Sequence, residues 1–120
     1  MLFGLGNDII EISRIKKAME NPKFKERIFA KAEIEIIEKK ENKYASYAGR
    51  FAAKEAISKA FGSGVRHFSL NDIEILNNPL GKPYVVFKNL LKDEHKNKKI
   101  EISISHCKEY AMATAIIMED

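Results

Sequence analysis

The chain has 120 residues, 45% hydrophobic and 32% charged, with a formal net charge of +4. That length fits one domain, 1–120, able to bury roughly two-thirds of its unfolded surface, and the composition excludes disordered and fibrous classes. No apolar run approaches the roughly 20 residues of a membrane helix, and MLFGLGNDIIE lacks a basic leader, so a cytoplasmic protein with no membrane association is expected.

In chain order, LFGLGND reads as a short strand ending in a turn signalled by Gly4 and Gly6. From Ile9 the pattern changes: Ile12, Ile15 and Met19 recur at helical spacing with Arg14, Lys16 and Lys17 between them, predicting an amphipathic helix that ends near Asn21-Pro22. KAEIEIIEKK predicts a second helix, although Ala30 stands where a capping Ser or Thr is expected. The third and longest helix runs from about Tyr44 to Phe61 and stops at Gly62. The period then drops to two. DIEIL and PYVVF flank NNPLGK as a β-hairpin, a short helix follows in KNLLKDEH, and KIEISIS and YAMATAII form two closing strands.

Tyr110, Met112, Thr114 and Ile116 share one face of the last strand; Ala111, Ala113, Ala115 and Ile117 share the other. Neither face is charged, so both are expected to be covered: the alanine side by the long helix, the other by a second copy of the chain. The lone Cys107, in the turn before this strand, can form no internal disulfide or cysteine zinc site and reads as a buried or half-buried small residue.

The net charge of +4 favours anionic partners. A nucleic-acid module would share that charge, but the chain has no aromatic-plus-basic RNA signature, no zinc pattern and no clear helix-turn-helix. Asp8 and Glu11 stand at D-x-x-E spacing, which serves either a helix cap with its capping-box glutamate or, if a second carboxylate comes near, a metal ligand. Glu55 is the candidate second carboxylate. Phe51, Glu55, Lys59 and Gly62 share one helical stripe, with Ala53, Ile57, Ala60 and Phe61 on the core side.

Alone, Glu55 and Lys59 make a solvated pair worth about 0.3–0.5 kcal/mol. The following Gly62-Ser63-Gly64, with Arg50 and Lys54 further back, has the makings of a pyrophosphate cradle, though it is not a Walker loop. A different magnesium-dependent nucleotide enzyme, such as a pyrophosphatase, would need more carboxylates than Asp8 and Glu55. Ser105 and His106 project to opposite faces of a strand, which excludes a hydrolase dyad. His106 remains either a phosphate or base contact or a satisfied turn histidine.

Taken together, GLGNDIIEISRI, GRFAAKEAISKAFGSG, GKPYV and SISHCKEYAMATAI resemble, in order and across nearly the whole chain, the bacterial holo-acyl-carrier-protein synthases, the small phosphopantetheinyl transferases. The resemblance implies a homotrimeric α+β enzyme. It would move 4′-phosphopantetheine from coenzyme A to a serine of apo acyl carrier protein, with magnesium, or manganese in its place. It implies Asp8 and Glu55 as metal ligands and Lys59 on the pyrophosphate. Because such sites lie between subunits, Lys82, Pro83 and His106 would contact coenzyme A bound mainly by a neighbour. Arg50, Lys54, Gly62, Ser63 and Gly64 complete the expected coenzyme A contacts.

Arg14 and Lys17, with Ile15 as an apolar anchor, make the expected docking face for an acidic carrier. Either a metal-bound water or Glu55 would accept the serine proton. Asn7 and Ser63 stand where the family usually has Thr; both keep hydrogen-bonding ability.

Overall fold

The computed structural model describes residues 1–62 and 69–119. Its elements are β1 (Leu2–Glu11), α1 (Ile12–Ala18), α2 (Pro22–Ile28), α3 (Lys31–Ile37), α4 (Lys43–Phe61), a 3-10 turn at Leu70–Asp72, β2 (Ile73–Asn77), β3 (Pro83–Phe87), α5 (Leu90–Glu94), β4 (Lys98–His106) and β5 (Tyr110–Glu119). The class is α+β, as expected. One antiparallel sheet has the order β1-β5-β4, and β2 and β3 form a separate hairpin.

The alanines of α4 decide how it packs. Ala52, Ala53, Ala56 and Ile57 pack with Ala113 and Ala115 of β5 and Ile102 of β4, giving a helix laid directly on the sheet. Gly4 and Gly6 are mid-strand residues rather than turn formers. A Cβ at either would run into the carbonyl oxygen of Ala60 or Ala56, so glycine is what lets β1 rest against α4.

The first strand outruns its predicted length. Ile9, Ile10 and Glu11 pair with Met112, Ala111 and Tyr110, and this pairing overrides the helical spacing that begins at Ile9. Asp8 is therefore inside a strand, which removes the capping-box reading; α1 starts at Ile12 with no side-chain cap from Glu11. Asn21-Pro22, read as a helix stop, is also a helix start: Asn21 Oδ1 accepts from the Lys23 N–H at 2.9 Å, with Pro22 in the first turn of α2. At α3, Glu33 reaches back to accept from the Ala30 N–H at 2.9 Å, the half of a capping box that does not need a side-chain oxygen at Ala30.

The two faces of β5 differ as the alternation requires. Ala111, Ala113, Ala115 and Ile117 are buried, while Tyr110, Met112, Ile116 and Met118 are exposed. Leu5 and Ile9 of β1 extend that outer face and are 63% and 64% exposed. Cys107 lies in the tight β4–β5 turn and is exposed, correcting the buried placement expected for it. Among the described residues, no helix is long and apolar enough to cross a membrane.

Candidate active site

Alternation along β1 sends Gly4, Gly6 and Asp8 toward α4. The glycines bring the strand close enough for Asp8 to meet the helix stripe bearing Glu55 and Lys59. Lys59 Nζ donates to Asp8 Oδ1 at 3.0 Å and to the Asn7 carbonyl oxygen at 3.1 Å. The ion pair of Lys59 thus runs to Asp8 on the strand. Partial burial, and next the charge of Asp8, push the Glu55 carboxyl above its ordinary pKa, while Lys59 opposes them. A carboxyl whose proton affinity is raised by burial and by a second carboxylate, beside an ammonium, has the electrostatics of a cation site.

That donor set fits a hard divalent cation whose remaining oxygens come from water and substrate. Among the described residues, no cluster of three or more His, Cys, Asp or Glu could hold a metal without such help.

A second feature, a basic cleft, lies elsewhere. A cavity of about 550 Å³ is lined by Lys40, Arg50, Lys82 and His106, together with Ser46, Asn77, Pro83 and Ser103. Four basic side chains around one cleft suit an anion with several negative oxygens. Five residues separate Arg50 from Glu55, a turn of about 140° and a rise of roughly 7.5 Å along α4, so the cleft and the carboxylate pair occupy different sides of the helix. The pair sits on the β1 edge of the sheet. The cleft sits toward the β4 edge, where Arg50 meets the hairpin and His106 ends its strand.

Several expected contacts move. Lys54 is fully buried and its ammonium donates to the Ile28 carbonyl at 2.7 Å, Glu33 Oε1 at 2.6 Å and the Leu70 carbonyl at 3.2 Å. An ammonium has three N–H donors, so Lys54 has none left for coenzyme A. Its expected role is corrected to an interior one.

Ile15 is 2% exposed and packs with Phe29, Ile37 and Tyr47, so it anchors α1 to the core and not to a carrier. Arg14 and Lys17 are exposed on α1. Gly62 ends α4 at a φ of 84°, a conformation that favours glycine. Ser63 and Gly64 lie outside the described residues.

Sequence reasoning overlooked Glu33 and Asn77. Asn77 Oδ1 accepts from an Arg50 terminal nitrogen at 2.6 Å, and its Nδ2 donates to the Gly81 carbonyl at 3.0 Å. Glu33 is completely buried, and the only local signal for it was its third position in α3 after a residue unable to cap.

A carboxylate pair and a basic cleft on an α+β chain suit an enzyme with a phosphate-bearing substrate. The model of the 4′-phosphopantetheinyl transferase superfamily matches residues 4–115, and the chain belongs to that superfamily. It is 55% identical to the holo-[acyl-carrier-protein] synthase of Fusobacterium nucleatum, across 98% of this chain and 100% of that one. It is 49% identical to the synthase of Caldanaerobacter subterraneus, across 93% and 91%.

Among solved structures, the Bacillus anthracis synthase in complex with CoA (3′,5′-ADP) matches with a TM-score of 0.85 at 38% identity, covering 100% of this chain and 99% of that one. The Helicobacter pylori synthase in complex with coenzyme A matches at 0.80 and 32%, covering 95% and 99%. The family resemblance carried by the four motifs is borne out.

Proposed function

We propose that this chain is a holo-[acyl-carrier-protein] synthase. It transfers 4′-phosphopantetheine from coenzyme A to a serine of apo acyl carrier protein, releases adenosine 3′,5′-bisphosphate, and serves fatty acid synthesis in the cytoplasm. The observation carrying this reading is the meeting of Asp8 with Lys59 beside Glu55, where strand and helix touch, in a chain that aligns end to end with such synthases.

Asp8 and Glu55 would hold magnesium, with manganese an alternative of similar ligand preference. Held there, it would supply positive charge against the pyrophosphate and the leaving nucleotide. Lys59 adds a cation on the same side, and Gly62, Ser63 and Gly64 lie next in the chain. Arg50, Lys82, Pro83 and His106 take the nucleotide end of coenzyme A in the basic cleft.

The metal pair and the cleft lie toward opposite edges of the sheet. A head-to-tail ring would bring the β1 edge of one protomer to the β4 edge of the next, the heterologous contact that closes cyclic oligomers. The exposed apolar face of Leu5, Ile9, Tyr110, Met112 and Ile116 supports such a homotrimer. Arg14 and Lys17 of α1 form the docking face for the acidic carrier.

The test is direct: incubate the protein with coenzyme A, magnesium and apo acyl carrier protein and follow the intact mass of the carrier. The carrier is expected to gain one phosphopantetheine arm. A carrier of unchanged mass overturns the reading.

A further inference from the structure

Resting on the reading that the basic cleft takes the nucleotide end of coenzyme A, we propose that the buried Glu33–Lys54 pair is a positioning unit that aims Arg50 into that cleft. The two side chains are fully buried. Glu33 Oε1 accepts from Lys54 Nζ at 2.6 Å and from the Ala30 N–H at 2.9 Å, and Oε2 accepts from the Ile75 N–H at 3.1 Å. The carbonyl of the same residue, Ile75, accepts from Arg50 Nε at 3.2 Å. Arg50 then donates to Asn77 Oδ1, and Asn77 donates to the Gly81 carbonyl, one residue before Lys82.

The order of this chain of bonds matters. β2 has a partner on one side only, β3. Along its other edge Ile75 presents an N–H and a C=O, and Glu33 and Arg50 take them as a neighbouring strand would. Lys54 fixes Glu33, Glu33 fixes Ile75, and Ile75 with Asn77 fixes the guanidinium in two directions. Arg50 commits two of its five donors to this frame and still lines the cleft.

Buried ion pairs are often replaceable by apolar side chains without loss of stability, so stability alone is a weak reason for one here. A held guanidinium, in contrast, keeps the planar fork that recognises phosphate oxygens. Glu33 and Lys54 act through Arg50 and touch no substrate themselves.

The experiment removes both charges together, because a stranded one would unfold the interior. Glu33→Leu/Lys54→Met is expected to fold, raise the KM for coenzyme A about tenfold and leave kcat within about twofold. Glu33→Gln/Lys54→Gln keeps an acceptor for Ile75 and a donor to hold it, without charge, and is expected to restore KM to within about twofold of wild type. In an Arg50→Gln background the apolar pair should add no further loss.

Calorimetric titration with adenosine 3′,5′-bisphosphate reads the same aim without transfer, so its outcome stands even if the carrier assay fails. A folded apolar variant with unchanged affinity, or a loss that adds in full to that of Arg50→Gln, overturns the proposal. Should the apolar variant not fold, Asn77→Leu decides. Cutting the last link should weaken nucleotide binding in wild type and not in Arg50→Gln, and unchanged or fully additive binding overturns the proposal.

Discussion

Lys59 holds Asp8 across 51 residues of sequence, its ammonium 3.0 Å from the carboxylate oxygen. A cation entering beside Asp8 must displace that ammonium, which leaves Lys59 available to an anion at the same place. Lys59→Met should therefore bind magnesium roughly three- to tenfold more tightly than wild type without coenzyme A, while losing transfer activity. Calorimetry on the substrate-free protein checks the first half; weaker magnesium binding in the variant would contradict it.

Glu55 is expected to be needed for transfer and costly for stability. Burial and Asp8 raise its pKa in the fold, so between the unfolded value and the raised one the native state binds more protons than the unfolded state. Stability from this group is present at low pH and falls as pH rises through that window. Glu55→Gln should melt higher than wild type at neutral pH without metal, lose that advantage near pH 4, and lose transfer by roughly a hundredfold or more. Melting curves across pH with and without magnesium make the comparison.

Gly6→Ala places a methyl group against the Ala56 carbonyl, prising β1 from α4. The expected cost is about 1–3 kcal/mol of stability, with weaker magnesium binding because Asp8 is carried away from Glu55. Ile57→Val, buried on the same helix, removes a core methylene and serves as control. Its stability should fall by about 0.5–1.5 kcal/mol with magnesium affinity unchanged.

Charge reversal of exposed Arg14 and Lys17 to Glu should raise the KM for carrier roughly tenfold and that for coenzyme A little, with the difference shrinking at high salt. Steady-state kinetics at two ionic strengths measure this. Ile15→Ala should instead lower the melting temperature, since its side chain is in the core.

Ile9→Glu places a charge in the exposed apolar face of β1 and β5. Sedimentation should show trimers for wild type and monomers for the variant, and transfer should vanish with the assembly. A trimeric variant would move the interface elsewhere.

Periodicity was enough for α4, the hairpin and the two-faced β5, because each buries one regular side. It was not enough where distant pairing decided. Ile9 and Ile10 fit a helix by spacing and a strand by partner, and Met112 and Ala111 opposite them settle the choice. The same holds within α4, where Lys54 and Lys59 look equivalent. Their five-residue offset turns one into the interior toward Glu33 and the other to the surface beside Asp8.

The meeting of Asp8 with the stripe of Glu55 and Lys59 was legible because it involves one strand and one helix face. The frame around Arg50 was not, since Glu33, Ile75 and Asn77 share no local pattern and meet only when α3, α4 and β2 have packed.

In the trimer we propose, carboxylates toward one sheet edge and a basic cleft toward the other make the individual folded chain half an enzyme. Two differently damaged chains, one lacking Glu55 and one lacking Arg50, would each be silent as pure populations. Mixed in equal amounts within one ring, about a quarter of the junctions would pair an intact edge with an intact edge, and the blend would regain work that neither parent performs.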